Sequence, residues 1–147
     1  MKDEIDWITL EEKFNKQITN GQRAEIRRAA LPDELAELPA YYHLLPAEVA
    51  PSKKWQRVIF MLPWAKQKKG GTTVGEQLAI ANIREMRMFQ MLRSTEPQDI
   101  VCLRRLLRQV GNVSADWEHF GSSLYYWNKA NKRRFVEEYY FTNKISR

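Results

Sequence analysis

The sequence predicts an all-α fold, with eight or nine short helices in two packed lobes of a single domain. Apolar residues recur at three- and four-residue spacings through most of the 147 residues, and no segment alternates like a half-buried strand. The apolar content of 44% can supply a core for a domain of this length. A basic, glycine-rich break at 66–75 separates the expected lobes, about 1–66 and 75–147.

The first predicted helix lies near the N-terminus, where Asp3 or Asp6 can accept hydrogen bonds from its first turn. Asn20-Gly21 is expected to end it, because glycine readily accepts the left-handed conformation that follows many helices. Its apolar stripe consists of Trp7, Leu10, Phe14 and Ile18.

Prolines set the limits of the next three predicted helices. A helix at about 22–30 must stop before Pro32, because the residue preceding proline disfavours helical geometry. Pro39 suits the first turn of a short helix through Leu45. Ser52 can cap a fourth helix, which ends near Pro63. The apolar face of that helix consists of Trp55, Val58, Ile59 and Leu62.

The second lobe is predicted to contain five helices. Four lie at about 76–81, 83–93, 115–127 and 129–141, and the other, here called the 98–110 helix, follows the chain reset at 94–97 and carries Ile100 to Val110. Phe89 and Leu92 are expected on the inner face of the 83–93 helix, and Gly111 is expected to end the 98–110 helix. The residues expected to be buried in the last three are Ile100, Leu103, Leu107, Val110, Trp117, Phe120, Leu124, Phe135 and Tyr139.

Cysteine usage and hydropathy indicate a cytoplasmic protein without a membrane partner. Cys102 is the only cysteine, so no intrachain disulfide can form, and its leucine-rich surroundings favour a small apolar role in the core. The acidic N-terminus lacks the apolar run of a signal peptide. The longest apolar stretch, 58–65, is far shorter than the roughly 20 residues that span a bilayer.

Positive charge is concentrated in the second part of the chain. Residues 1–50 carry 6 Lys/Arg against 10 Asp/Glu, whereas residues 51–147 carry 18 against 8. Three arginine pairs are spaced three or four residues apart, which puts like charges on one helix face at a cost of a few tenths of a kcal/mol each. These pairs are Arg23 with Arg27, Arg84 with Arg87, and Arg104 with Arg108.

An external polyanion would offset this repulsion, and nucleic acid is the commonest polyanion in a cell. The pattern repeats in four segments, 23–28, 53–57, 84–93 and 104–108. The alternative is a solvated face with partial internal pairing, such as Glu25 with Arg28. Guanidinium groups suit bidentate phosphate contacts, which hold a backbone without reading bases.

Catalysis, metal binding and cofactors find no support in the sequence. His43 and His119 are far apart and belong to no metal-binding spacing. Residues 69–73 lack the GxxxxGK[ST] order of a phosphate-binding loop. Most aromatic residues fall on apolar faces, where they favour the core. Trp64, Tyr125 and Tyr126 are less clearly buried and could contact a nucleotide or a protein.

Several longer strings of the sequence are specific in combination: RAEIRRA (23–29), PDELAELPAYYHLL (32–45), IREMRMFQMLR (83–93), LRRLLRQV (103–110), Asp116-Trp117 and FTNK (141–144). Together they resemble the CasB family, the small subunit of Cascade, which is the type I-E CRISPR surveillance complex. The first two strings are similar to the N-terminal half of that family, the next two to its later helices and the last two to its ending. The resemblance covers nearly the whole chain.

The resemblance implies a non-enzymatic subunit that serves antiviral defence. Family members are expected to pair head-to-tail beside the filament of backbone subunits that holds the CRISPR RNA. They are expected to help hold the hybrid of RNA and target DNA and to stabilise the displaced strand of the R-loop. The implied partners are therefore the CRISPR RNA, both target DNA strands, other Cascade subunits and a second copy of the chain.

Ten residues are predicted to bind nucleic acid. The resemblance carries over Arg27, Arg28, Arg87, Arg93, Arg104 and Arg105, with Lys53 and Lys54 near a basic family position. Helical spacing adds Arg84 and Arg108.

Two other functions fit parts of the pattern. The helix at 22–30 with the following turn could belong to a stand-alone helical DNA-binding regulator, although Pro32 and Pro39 fragment the expected recognition helix. A basic adaptor that meets an acidic protein is the second alternative.

Overall fold

The computed structural model describes the backbone of residues 5–145 and side chains through Phe141. Within this range the fold is all-α, as predicted, with nine α-helices, two short 3-10 helices and one pair of two-residue strands. The helices are α1 Trp7–Lys16, α2 Asn20–Arg28, α3 Pro39–Leu44, α4 Lys53–Met61, α5 Val74–Ile80, α6 Glu85–Arg93, α7 Gln98–Val110, α8 Trp117–Tyr125 and α9 Lys129–Ile145. The 3-10 helices are Pro32–Glu37 and Leu62–Trp64, and the strands are β1 Lys66–Gln67 and β2 Ser114–Ala115.

The junction of α1 and α2 differs from the prediction. Asp6 caps α1 as expected, with its carboxylate accepting from the backbone N–H of Thr9 at 3.0 Å, whereas Asp3 lies outside the described residues. The prediction that Asn20-Gly21 ends the first helix is wrong, because α1 ends at Lys16 and these residues begin α2. Thr19 caps α2 instead, in a reciprocal pair of hydrogen bonds with Gln22.

The segment between α2 and α3 forms a 3-10 helix that the sequence interpretation missed. Proline occupies its first turn, and the carboxylate of Glu34 accepts from the backbone N–H groups of Ala30 and Leu31 at 3.3 and 3.0 Å. These bonds satisfy donors that a helix start leaves without partners. Pro39 begins α3 as predicted.

Helix α4 is central to the packing. It is capped by Ser52 as predicted, and every residue from Arg57 to Leu62 is buried. It packs against the 32–37 helix on one side and α8 on another. Six consecutive buried residues cover all sides of a helix, so the second half of α4 is surrounded by the core.

The strands form a short parallel ladder that the sequence did not predict, in which Lys66 pairs with Ser114 and Gln67 with Ala115. The side chain of Gln77 clamps this ladder. Its amide donates to the carbonyl of Ser114 at 2.6 Å, and its amide oxygen accepts from the N–H of the same residue at 3.0 Å. The ladder holds the basic segment that follows against β2.

In the second half of the chain, α5 packs closely against α9. The N–H of Gly75 donates to the carboxylate of Glu138 at 3.2 Å. A Cβ at Gly75 would lie 2.5 Å from the carbonyl oxygen of Phe135, so only glycine permits this approach. Burial raises the pKa of Glu138 above its ordinary value, and the neighbouring charge of Glu76 acts in the same direction.

Two predicted faces need correction. Phe89 and Leu92 are half-buried, and α6 instead buries Met88 and Met91 against α7 and α9. Cys102 and Val110 are also half-buried, whereas Leu106, which lies between them on the same side of α7, is buried. Gly111 ends α7 with a φ of 99°, which confirms the predicted stop.

The buried side chains form one cluster with members from α1 to α9. The division into lobes at 1–66 and 75–147 stays a prediction. In the part of the chain that is described, no helix has both the length and the apolarity needed to cross a membrane.

Candidate nucleic-acid interface

Arg104 lies where α7, α4 and α2 meet. Its guanidinium carbon is 4.2 Å from the ring centroid of Phe60, near the end of α4. The same group donates to the backbone carbonyl of Ala29, and to that of Ala30 at 3.5 Å. Ala29 is the C-cap residue of α2 and Ala30 follows it, so Arg104 binds the backbone directly after the last turn of α2 and caps its C-terminal end. It therefore fixes α2 relative to α7.

Two further arginines crowd Arg104. Burial first, and then the charges of Arg108 and Arg105, lower the pKa of Arg104 from its ordinary value. Arg105 and Arg108 are exposed on α7, whereas Arg104 is half-buried. The three like charges repel each other, so a bound anion would be favoured beside them.

The last turn of α2 extends this positive surface. Arg27 is exposed, and its guanidinium carbon lies 6.0 Å from the ring centroid of Trp64. Because Arg104 holds the carbonyls of Ala29 and Ala30, the end of α2 stays beside α7. Arg27 thus lies between α2 and the 62–64 helix, two residues before the carbonyl that Arg104 binds.

Helix α6 adds Arg87 to the same surface. Its guanidinium donates to the amide oxygen of Gln109 at 3.2 Å. Gln109 lies four residues after Arg105, so the two side chains share a face of α7. We call the set Arg27, Arg87, Arg104, Arg105 and Arg108 the arginine track. Arg84 is exposed at the residue before α6 begins.

Arg28 has a different environment from Arg27. It is exposed, but it lines a groove with Glu25, Glu34 and Glu37. The possible ion pair of Arg28 with Glu25 is not formed in the described structure. The acidic groove weakens the positive potential around Arg28 all the same.

Three predicted residues lie away from the arginine track. Lys53 and Lys54 begin α4, at the opposite end from Phe60, and the ammonium of Lys54 is 5.3 Å from the ring centroid of Tyr125. Arg93 ends α6, with its guanidinium carbon 5.2 Å from the ring centroid of Phe89. No described contact joins these three residues to Arg104.

Two arginines of the predicted basic segments are structural, so the interpretation of those segments is wrong at these positions. Arg23 donates to the carbonyls of Phe14 at 3.1 Å and Ile18 at 2.8 Å, which caps α1. Arg57 is buried and caps α8. It donates to the carbonyls of Leu124 and Tyr125 at 2.7 Å each, and to the carboxylate of Glu96 at 2.9 Å. The sequence did contain a sign that Arg57 is structural, because it lies among the apolar residues Trp55, Val58 and Ile59.

The ten predicted residues are not neutralised by salt bridges. Among residues 5–141, the ion pairs within 4 Å join Lys16 to Glu12, Arg57 to Glu96 and Lys132 to Asp99. None of these includes a predicted nucleic-acid-binding residue. Such a surface of unpaired guanidinium groups is suited to phosphate contacts. Over the same described range, no group of three or more His, Cys, Asp or Glu could hold a metal ion.

Comparison with known proteins gives a consistent result. The model of the family described as CRISPR-associated protein Cse2 matches residues 22–140. The chain is 35% identical to the CRISPR system Cascade subunit CasB of Escherichia coli strain K12, over 97% of each chain.

The fold is also similar to that of a solved structure. It matches a chain in the crystal structure of E. coli Cascade bound to a PAM-containing double-stranded DNA target, with a TM-score of 0.87 and 31% identity. The match covers 97% of this chain and 99% of the other.

Proposed function

This chain belongs to the CRISPR-associated protein Cse2 family and is a small subunit of a CRISPR surveillance complex, and we propose that it binds the nucleic-acid backbone there without reading sequence. The complex is of the type I-E Cascade class. In this role the subunit stabilises the hybrid of CRISPR RNA and target DNA, and also the displaced strand, during antiviral defence.

The arginine track is the observation that supports this proposal. Its members come from α2, α6 and α7, and contacts through Ala29, Ala30 and Gln109 link these helices. Its charges have no carboxylate partner within 4 Å among residues with described side chains. Phosphate groups are the ligands that such a surface would bind with little dependence on base sequence.

Backbone contacts suit the energetics of target recognition. Exchanging a DNA duplex for an RNA–DNA hybrid is nearly balanced, so protein contacts to the backbone can decide the direction. Each phosphate that a guanidinium neutralises releases condensed counterions. Several arginines therefore stabilise the opened target without contacting base edges.

The partners of this role are the CRISPR RNA, both target strands, the backbone filament and a second copy of the chain. The acidic first 50 residues and the basic remainder support head-to-tail pairing, since opposite charges would then face each other. A cytoplasmic location follows from this role and stays a prediction. The matched relative is a Cascade subunit, which supports a role without catalysis.

A stand-alone regulator finds less support. A helix-turn-helix needs a second helix that enters the major groove. After α2 this chain has a six-residue 3-10 helix with proline in its first turn, and its side chains Asp33 and Glu34 are acidic. An acidic element at this position would be repelled by DNA phosphates.

The test uses Cascade assembled with the full-length chain or with the R105A/R108A double variant. We expect the variant to assemble normally and to bind target DNA at least tenfold more weakly, because it leaves two phosphates without a guanidinium partner. The control is the K13A/K16A double variant, which removes two positive charges from α1 and should bind like the native chain. Equal target affinity in all three complexes would refute the proposal.

A further inference from the structure

Tyr126 presents an exposed ring on a rigid support. Its side chain is at the junction of α8 and α9, and the residue is 57% exposed. Its N–H donates to the carbonyl of Ser122 at 2.9 Å, and its own carbonyl accepts from the side-chain amide of Asn131 at 2.8 Å. Both neighbouring helices therefore hold the backbone that carries the ring.

The ring of Tyr126 is braced by a second tyrosine. It meets Tyr125 edge to face, with centroids 4.9 Å apart and planes at 82°. Tyr125 in turn packs on Trp7 at 5.4 Å and on Trp55 at 5.2 Å, both of which belong to the core. These aromatic contacts already restrict the side chain of Tyr126, so it loses less conformational entropy when a ligand covers its exposed ring.

Lys54 lies beside this aromatic pair, and two further lysines begin the neighbouring helices. The ammonium of Lys54 is 5.3 Å from the centroid of Tyr125, and Lys53 and Lys129 are exposed at the starts of α4 and α9. No ion pair among residues 5–141 includes any of the three. The carboxylate of Glu96, which reaches this end of α8, is already paired with Arg57. The starts of α4 and α9 thus carry three lysines without an ion pair among the described residues, and one of them contacts Tyr125.

We propose that Tyr126 stacks on an unpaired base of single-stranded nucleic acid while Lys53 and Lys54 contact the adjacent phosphates. An exposed aromatic ring beside lysines is the arrangement by which many proteins hold single strands, since every base has a face for stacking. A duplex hides these faces, so the site distinguishes single strands from duplexes. This inference rests on the proposed function and assigns a contact to the displaced strand.

The site is separate from the arginine track. Lys53 begins α4, and Phe60, which supports Arg104, lies seven residues later. At a rise of 1.5 Å per residue this is about 10 Å along the helix. One subunit can thus hold a hybrid or duplex backbone at the track and an unpaired base at Tyr126.

The test measures binding of the full-length chain to three probes at low salt: an oligothymidylate, an abasic oligomer of equal length and charge, and a duplex. Y126L is compared with Y126W and with the native chain. We expect Y126L to bind the oligothymidylate about tenfold more weakly, with unchanged affinity for the abasic oligomer and the duplex. Y126W should restore the oligothymidylate affinity, because indole also stacks.

Three results would overturn the inference. The first is unchanged oligothymidylate binding by Y126L. The second is an equal weakening on the abasic oligomer, which would mean that the ring supports phosphate contacts only. The third is unchanged DNA binding with reduced incorporation of Y126L into Cascade, which would identify a protein contact. Duplex binding by R105A/R108A tests the proposed function independently, so failure of one leaves the other standing.

Discussion

The guanidinium of Arg104 stacks on the ring of Phe60, with 4.2 Å between the guanidinium carbon and the ring centroid. The same side chain donates to the carbonyls of Ala29 and Ala30, which directly follow α2. Arg104, which the sequence predicts to bind phosphate, thus also connects α7 to α4 and to the end of α2. Its direct contact with phosphate stays a prediction, whereas its packing role has consequences for stability.

Replacing Arg104 by alanine should lower the free energy of unfolding by about 1–3 kcal/mol, because the variant lacks both the cation–π interaction and the cap of α2. R105A is the matched control, since Arg105 is exposed on the next residue, and it should change stability by less than about 0.5 kcal/mol. Urea denaturation followed by circular dichroism measures both. If the two variants are equally stable, Arg104 does not fix α2.

Replacing Arg108 by alanine should raise the free energy of unfolding by a few tenths of a kcal/mol at low salt. Arg108 lies four residues after Arg104 and its charge lowers the pKa of Arg104, so the pair repels in the unbound protein. Added salt should remove the gain by screening. Thermal melts of native and R108A protein across salt concentrations test this, and a loss of stability at low salt would contradict it.

Replacing Arg57 by alanine should destabilise the fold by about 3 kcal/mol, because it leaves the carbonyls of Leu124 and Tyr125 and the carboxylate of Glu96 without their partner. K53A, four residues earlier on the exposed start of α4, is the control and should have little effect. Denaturant midpoints compare the two. A mild effect of R57A would mean that water replaces these bonds readily.

Replacing Glu138 by glutamine should change how stability depends on pH. Burial raises the pKa of Glu138 in the folded state above 4.5, the ordinary value, so the folded protein binds more protons than the unfolded chain just above that pH. The contribution of Glu138 to stability therefore falls as pH rises from 4.5 through the raised pKa. The side-chain oxygen of glutamine can still accept the hydrogen bond from the N–H of Gly75. Because glutamine does not ionise, the variant does not lose stability as the pH rises.

The stability of E138Q relative to the native protein should thus increase from acid to neutral pH. Denaturation of both proteins at a series of pH values measures the difference. A constant difference would show that the folded and unfolded states share one pKa for this group. The hydrogen bonds from Gly75 and Thr73, and then the charge of Arg134, oppose the rise in the pKa of Glu138, so no larger change is expected.

Helical periodicity predicted the fold class because most of the core is carried by apolar stripes, as in α1 and α7. It failed where tertiary contacts decide. Thr19 rather than Asn20-Gly21 marks the boundary of α2, since Gln22 completes the reciprocal cap. The β1–β2 ladder has only two residues per strand and depends on the clamp of Gln77, whose partner lies 37 positions away, so no local pattern reveals it.

The candidate site was predicted as a set of basic segments, and contact of these residues with nucleic acid stays a prediction. Residue spacing cannot distinguish arginines that face solvent from those that bind the protein itself. Arg23 and Arg57 donate hydrogen bonds to backbone carbonyls at helix ends. Long side chains reach partners far along the sequence, as when Arg57 meets Leu124. The hydrogen bond of Arg87 with Gln109, which joins α6 to α7, likewise needed the three-dimensional structure.

The most direct test of backbone binding by the arginine track is the salt dependence of duplex binding for several unrelated DNA sequences. The native chain should bind all sequences with similar affinity and with a steep, linear fall of log affinity against log salt. In the R27A/R87A/R105A/R108A variant the slope should decrease by about 0.9 for each phosphate that the variant no longer neutralises. Strong preference for one sequence, or an unchanged slope in the variant, would contradict the account.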